Sequence, residues 1–128
     1  MDDLIINETV STPKIEFRSL GLLTIRGKSL PEDPKRFFNP LLQWVKDLNA
    51  EKVDLELFLE YVNTSSSKNL LELIKSIDKN PKIKHLNFYW HYDIDDLGML
   101  EFGELIASNL RKAKAKYIAL DENENPIL

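Results

Sequence analysis

Four hydroxyl side chains stand in a row at Thr64, Ser65, Ser66 and Ser67, preceded by Asn63 and followed by Lys68. They fall between an alternating apolar run and a run of helical spacing. At such a junction the first amides of the helix have no partner along it, and the helix dipole is positive. A phosphate is stabilised there, whether bound or attached to a hydroxyl. The plainer reading of the same residues is a helix cap, the commonest use of Ser, Thr and Asn at this position. A nucleophilic serine fits poorly, because no histidine is near in sequence and no GxSxG turn is present.

The other groupings that could do chemistry each lack a part. Asp93, Asp95, Gly98 and Glu104 match the first, third, sixth and twelfth positions of a calcium-binding EF loop. The fifth position is Leu97, and an alternating segment stands where the motif needs a helix. Asp95 or Asp96 capping an acid-rich helix start explains the same residues. Gly27-Lys28-Ser29 has the ending of a phosphate-binding P-loop, yet five residues rather than four separate Gly21 from Gly27, and Pro31 and Pro34 interrupt the helix that should follow. His85 and His91 are the only histidines. In a strand they share a face but lie roughly 20 Å apart, too far to hold one metal. Asp54, Glu56 and Glu60 alternate as the polar face of a strand, with no second group to make an acid–base pair. No catalytic residue, metal ligand or cofactor is assigned.

The elements that must position these residues follow from periodicity. Ile15–Phe17 and Leu22–Ile25 read as a hairpin around Ser19-Leu20-Gly21. After the proline-broken loop Ser29–Pro34, Phe37, Phe38, Leu41, Leu42, Val45 and Leu48 have helical spacing. Pro40 sits inside that pattern, which predicts a short turn through Phe38 and then a main helix capped by Asn39 with Pro40 first. Val53–Val62 alternates Val53, Leu55, Leu57, Leu59 and Tyr61 against acids and is predicted as a central strand. Asn63 to Ser67 supply the cap of a helix carrying Leu70, Leu71, Ile74 and Ile77, ended by Asn80-Pro81. His85–Tyr92 is a strand, Leu97, Leu100, Ile106 and Leu110 mark a helix, and Tyr117–Leu120 is a last strand. The basic cluster Arg111, Lys112, Lys114 and Lys116 reads as the end of that third helix, satisfying its dipole.

The predicted order is therefore β-β-α-β-α-β-α-β: an α/β fold with one mixed sheet and about three helices, resembling the small STAS-type domains of bacterial switches. A chain of 128 residues, 43% of them hydrophobic, fits a single domain over 1–128. The net charge of −4 argues against a nucleic-acid footprint. No run approaches the ~18 apolar residues of a membrane span, and no basic leader precedes an apolar stretch. The absence of cysteine removes disulfides and thiol chemistry and suits the cytoplasm.

The run Leu59-Glu60-Tyr61-Val62-Asn63-Thr64-Ser65-Ser66-Ser67-Lys68 closely resembles the YFNTSSSK signature of the SiaC family of regulatory phosphoproteins. Four further blocks resemble that family in order: Thr12-Pro13-Lys14-Ile15, Ile25 to Glu32, Phe37-Phe38-Asn39-Pro40 with Trp44, and Tyr89 to Tyr92 followed by Asp95, Asp96, Met99, Glu101, Gly103 and Glu104. Departures are Lys28 for Arg, Asp33 for Asn, Val62 for Phe and Phe38 for Tyr. The resemblance implies a STAS-like, non-enzymatic domain phosphorylated on Thr64 by a dedicated protein kinase. It further implies a PP2C-type phosphatase that reverses the modification, and a downstream effector bound in only one state; in the system that names the family, the unphosphorylated form activates a diguanylate cyclase. Asn63, Ser65, Ser66, Ser67 and Lys68 would surround the phosphosite, and Lys28, Glu32, Asp33 and Glu60 form a candidate partner surface. Lysine cannot reproduce the bidentate fork of arginine, so Lys28 marks a point where the partner surface differs. The acids Glu56 and Glu60 lead us to expect a locally basic partner. Two alternatives stand beside this reading: a small metal-dependent enzyme using the Asp93–Glu104 acids, and a structural interaction domain in which Thr64 only caps a helix.

Overall fold

A computed structural model describes residues 1–127. Its strands are β1 (Leu4–Ile6), β2 (Lys14–Phe17), β3 (Leu22–Ser29), β4 (Lys52–Val62), β5 (His85–Asp93) and β6 (Lys114–Leu120). Between them lie the helices α1 (Pro34–Asp47), α2 (Thr64–Lys79) and α3 (Leu97–Ser108). All six strands form one sheet in the order β1-β2-β3-β4-β5-β6. The first three are antiparallel neighbours, whereas β3, β4, β5 and β6 run parallel, each pair joined through a helix. Because each crossover steps in the same direction and such crossovers are right-handed, the three helices cover one face of the sheet. Between helices and sheet lie fully buried Phe17, Leu23, Leu55, Leu57, Phe88 and Trp90 from the strands, and Leu41, Val45, Leu73 and Ile74 from α1 and α2.

The mixed α/β class and the alternation of strands and helices are as the sequence predicts, with one strand more. Leu4–Ile6 adds β1 at the edge, and β6 begins three residues before Tyr117. The predicted start of the first helix is corrected. Asp33, not Asn39, is its cap, the Asp33 carboxylate accepting from the Arg36 N–H at 3.2 Å, and Pro34 takes the first turn. The sequence holds two cap-then-proline pairs, and one continuous helix is the arrangement that puts Phe38, Leu41 and Val45 together on the buried face. Asn39 and Pro40 then lie on the exposed side, where water can satisfy the carbonyl that the proline leaves unpaired.

The predicted inward position of Tyr61 is also corrected. Leu59 pairs with Gly27 but Tyr61 pairs with Lys28, so Glu60 is an extra, unpaired residue. This bulge ends the alternation, leaves Tyr61 exposed, and coincides with a φ of +121° at Gly27 that favours glycine. Beyond it, Ser29 is brought opposite Val62.

The basic cluster does not end α3. That helix stops at Ser108, and Lys114 and Lys116 lie in β6. The backbone N–H groups of Arg111, Lys112 and Ala113 instead converge on the buried carboxylate of Asp78, at 2.8, 3.1 and 3.1 Å. The Lys112 ammonium donates to the Asn80 and Ile83 carbonyls at 2.7 and 2.6 Å. Leu110 lies past the end of α3 and packs against the core from the connecting loop.

Candidate functional site

The end of β4 and the start of α2 bring the hydroxyl run to the rim of the sheet where β3 and β4 also end. Asn63 is the cap of α2. Its side-chain oxygen accepts from the Ser66 N–H at 2.9 Å, and its carbonyl accepts from the Ser67 N–H at 3.0 Å. Ser66 is buried; its hydroxyl is hydrogen-bonded to that of Ser29, equally buried at the end of β3. Ser67 donates its hydroxyl to the Thr64 carbonyl at 2.7 Å, and Asn69 donates its amide to the Ser65 carbonyl at 2.9 Å. The Ser65 hydroxyl donates to the Asn63 side-chain oxygen at 3.4 Å, so every hydroxyl of this turn is engaged except that of Thr64, which is exposed and, among the described residues, has no partner.

Electrostatically the turn is arranged for an anion. With Ser66 and Ser67 satisfied by Asn63, the Thr64 and Ser65 amides keep no protein acceptor among the described residues. The first turn of α2 carries no acid to offset its dipole. Thr64 opens on a groove of about 510 Å³ between the starts of α1 and α2, whose walls include Lys35, Lys68 and Glu72. Lys35 was not associated with Thr64 by sequence. It stands far away along the chain, and only the packing of α1 on α2 brings them together.

Of the candidate partner surface, Lys28, Glu32 and Asp33 lie exposed at the end of β3 and the loop into α1, on the same rim as Thr64. The Asp33 carboxylate is engaged as the α1 cap. Glu60 stands in the bulge opposite Gly27 and Lys28. It faces a second cleft, of about 480 Å³, shared with Asp93, Asp96, Asp121 and Glu124. Glu56 is on the uncovered face of the sheet, 3.9 Å from the imidazole of His91. Glu56 and Glu60 therefore do not line the groove at Thr64, whose charges are two lysines against one glutamate.

The remaining groupings resolve into structure. Gly27-Lys28-Ser29 lies within β3 rather than in a phosphate loop. Asp96 caps α3 by accepting from the Met99 N–H at 3.0 Å, and Asp93 ends β5. Among the described residues no three His, Cys, Asp or Glu side chains converge as metal ligands. His91 is buried and stacked on Phe58 at 3.8 Å between ring centroids, with the Arg26 guanidinium on the Phe58 ring at 3.8 Å. Its Nδ1–H donates to the Leu57 carbonyl at 3.1 Å. Burial, opposed by that hydrogen bond and by Glu56, holds its pKa below the ordinary histidine value. No helix among the described residues is long and apolar enough to cross a membrane.

The fold is that of a small α/β domain with an exposed, unengaged hydroxyl on a capped helix start. Residues 6–120 match the model of the SiaC family of regulatory phosphoproteins, and the chain is a member of that family. It is 31% identical over 109 residues to an uncharacterized protein of Pseudomonas aeruginosa strain UCBPP-PA14, spanning 81% of this chain and 86% of that relative. Its fold is similar to the crystal structure of apo-SiaC from Pseudomonas aeruginosa, with a TM-score of 0.74 and 28% identity over 91% of this chain and 99% of the other. It is similar also to a chain in the crystal structure of the diguanylate cyclase SiaD in complex with its activator SiaC from the same organism, with a TM-score of 0.75 and 27% identity over 90% of this chain and 99% of the other.

Proposed function

We propose that this protein is a partner-switching regulator without catalysis of its own, controlled by phosphorylation of Thr64. The observation that supports this reading most is the state of the α2 start. Thr64 is the one hydroxyl of the turn left exposed and unbonded, beside two free amides and an uncompensated dipole. A phosphate on Thr64 adds about −1.5 to −2 charges and three acceptor oxygens, which those amides and the lysines of the groove can accept without disturbing the core. A protein packed over the same rim in the unmodified state would instead meet a hydrated dianion, whose desolvation costs several kcal/mol, about a hundredfold or more in affinity.

A dedicated kinase would write the modification and a PP2C-type phosphatase remove it. A diguanylate cyclase is the effector we favour, because a relative of the same fold is the activator of one. Stimulation of a cyclase from the same organism should be compared for wild type, enzymatically phosphorylated protein and Thr64→Ala. The reading predicts that wild type and Thr64→Ala stimulate alike and that the phosphoprotein does not; equal stimulation by all three would refute it.

A further inference from the structure

Thr64 is exposed, yet the main chain on both sides of it is held, and one residue from outside the turn takes part on both sides. Ser29 ends β3 with its side chain only 1% exposed. Its carbonyl accepts the Asn63 N–H at 3.0 Å, immediately before Thr64, and its hydroxyl bonds that of Ser66, two residues after Thr64 and 0% exposed. Ser66 and Asn63 are themselves tied by the cap at 2.9 Å, so Ser29, Asn63 and Ser66 close a ring of hydrogen bonds around the phosphosite backbone. Leu30, the next residue, donates its N–H to the Ser11 carbonyl at 2.9 Å and anchors the ring to the chain leading into β2. The bulge at Glu60 sets the register that makes this possible by placing Ser29 opposite Val62.

We propose that Ser29 is a positioning residue for modification of Thr64, a clamp that keeps the first turn of α2 formed so that Thr64 is offered as part of a folded surface rather than as a loose peptide. The proposal rests on the switch reading given above and adds a residue to it. A kinase dedicated to this domain would then recognise Thr64 together with the flanking rim, and loss of the clamp would lower modification without loss of the fold. Buried hydroxyls with one good partner each are sensitive to deletion of that partner, because the survivor is left unsatisfied away from water. Ser29→Ala and Ser66→Ala therefore disturb the same bond, and their effects should not add.

The test uses the full chain as wild type, Ser29→Ala, Ser66→Ala and the double variant. Amide hydrogen exchange reports the clamp, and mass-spectrometric Thr64 phosphate occupancy, in protein isolated from its own cells, reports positioning. We expect exchange at Ser66, Ser67 and Lys68 to accelerate about tenfold in each single variant and no further in the double, as for a local opening, with α1 and α3 unchanged. Thr64 occupancy should fall several-fold in parallel. Unchanged exchange in the single variants overturns the clamp, and faster exchange with undiminished phosphate overturns the positioning role. If wild type itself never carries phosphate on Thr64, the switch reading fails and the positioning role with it, while the exchange data still show separately whether Ser29 holds the turn.

Discussion

The two ends of α2 are built in opposite ways. At its C-terminal end the chain buries its polar groups and saturates them: Asp78 takes three backbone amides, and Asn80 donates to the Val45 and Leu48 carbonyls, both at 2.9 Å. These bonds join the ends of α1 and α2 to the entry of β6. At the N-terminal end Asn63, Ser29 and Ser66 hold the backbone, while the Thr64 side chain is left to solvent. At one end the unpaired main-chain groups of α1 and of the loop into β6 find permanent partners in α2 side chains, and at the other two amides of α2 itself are left open beside a hydroxyl. Permanence and availability are thus distributed along a single helix, as modification of the rim without disturbance of the core would require.

If that contrast is right, the largest loss of stability should come from the closed end. Asp78→Ala strands three amides and should cost about 3 kcal/mol or more, measurable as a lowered denaturant midpoint at unchanged slope. A loss below ~1 kcal/mol would show that water replaces the carboxylate freely and that this end is not closed. Asn63→Ala removes the cap at the open end and should cost about 1 kcal/mol. Thr64→Ala should lie within about 0.5 kcal/mol of wild type, since no native bond is lost. The reverse ranking would break the comparison.

Acidity sharpens it differently, because His91 lies beneath neither end. Its folded pKa is below 6.5, chiefly through burial, so the unfolded chain takes up the proton first as pH falls. The contribution of His91 to stability is therefore complete above 6.5 and declines as pH drops from there toward the lower folded value. Denaturant unfolding between pH 7.5 and 5.5 should show wild type losing more stability than His91→Gln. Equal slopes for the two proteins would remove His91 from the account.

The open end was far more legible in the sequence than the closed one. Asn63 to Ser67 announce a cap locally, through residue type and position, and β4 is readable from Val53 to Leu59 because burial imposes a period of two. That period fails at Glu60, where a bulge driven by pairing with β3 turns Tyr61 outward. β1 is three residues long, too short to show any period, and exists through its pairing with β2. The start of α1 was ambiguous because Asp33-Pro34 and Asn39-Pro40 carry the same local signal, and only the shared burial of Phe38 with Leu41 decides between them. Asp78 was missed and Lys112 misread because their partners are 29 to 35 residues away. Ser29, 37 residues from Ser66, escaped notice as a partner of the turn around Thr64 for the same reason.

The central claim is that Thr64 alone is the modified hydroxyl of this turn. Intact-mass analysis followed by fragmentation of the protein from its own cells tests it most directly, since a phosphate on one hydroxyl is distinguished from one on its neighbours. The account predicts a single stoichiometric phosphate under some growth condition, located on Thr64 and lost in Thr64→Ala. A phosphate located on Ser65, Ser66 or Ser67 with Thr64 unmodified, or no phosphate under any condition, would contradict it.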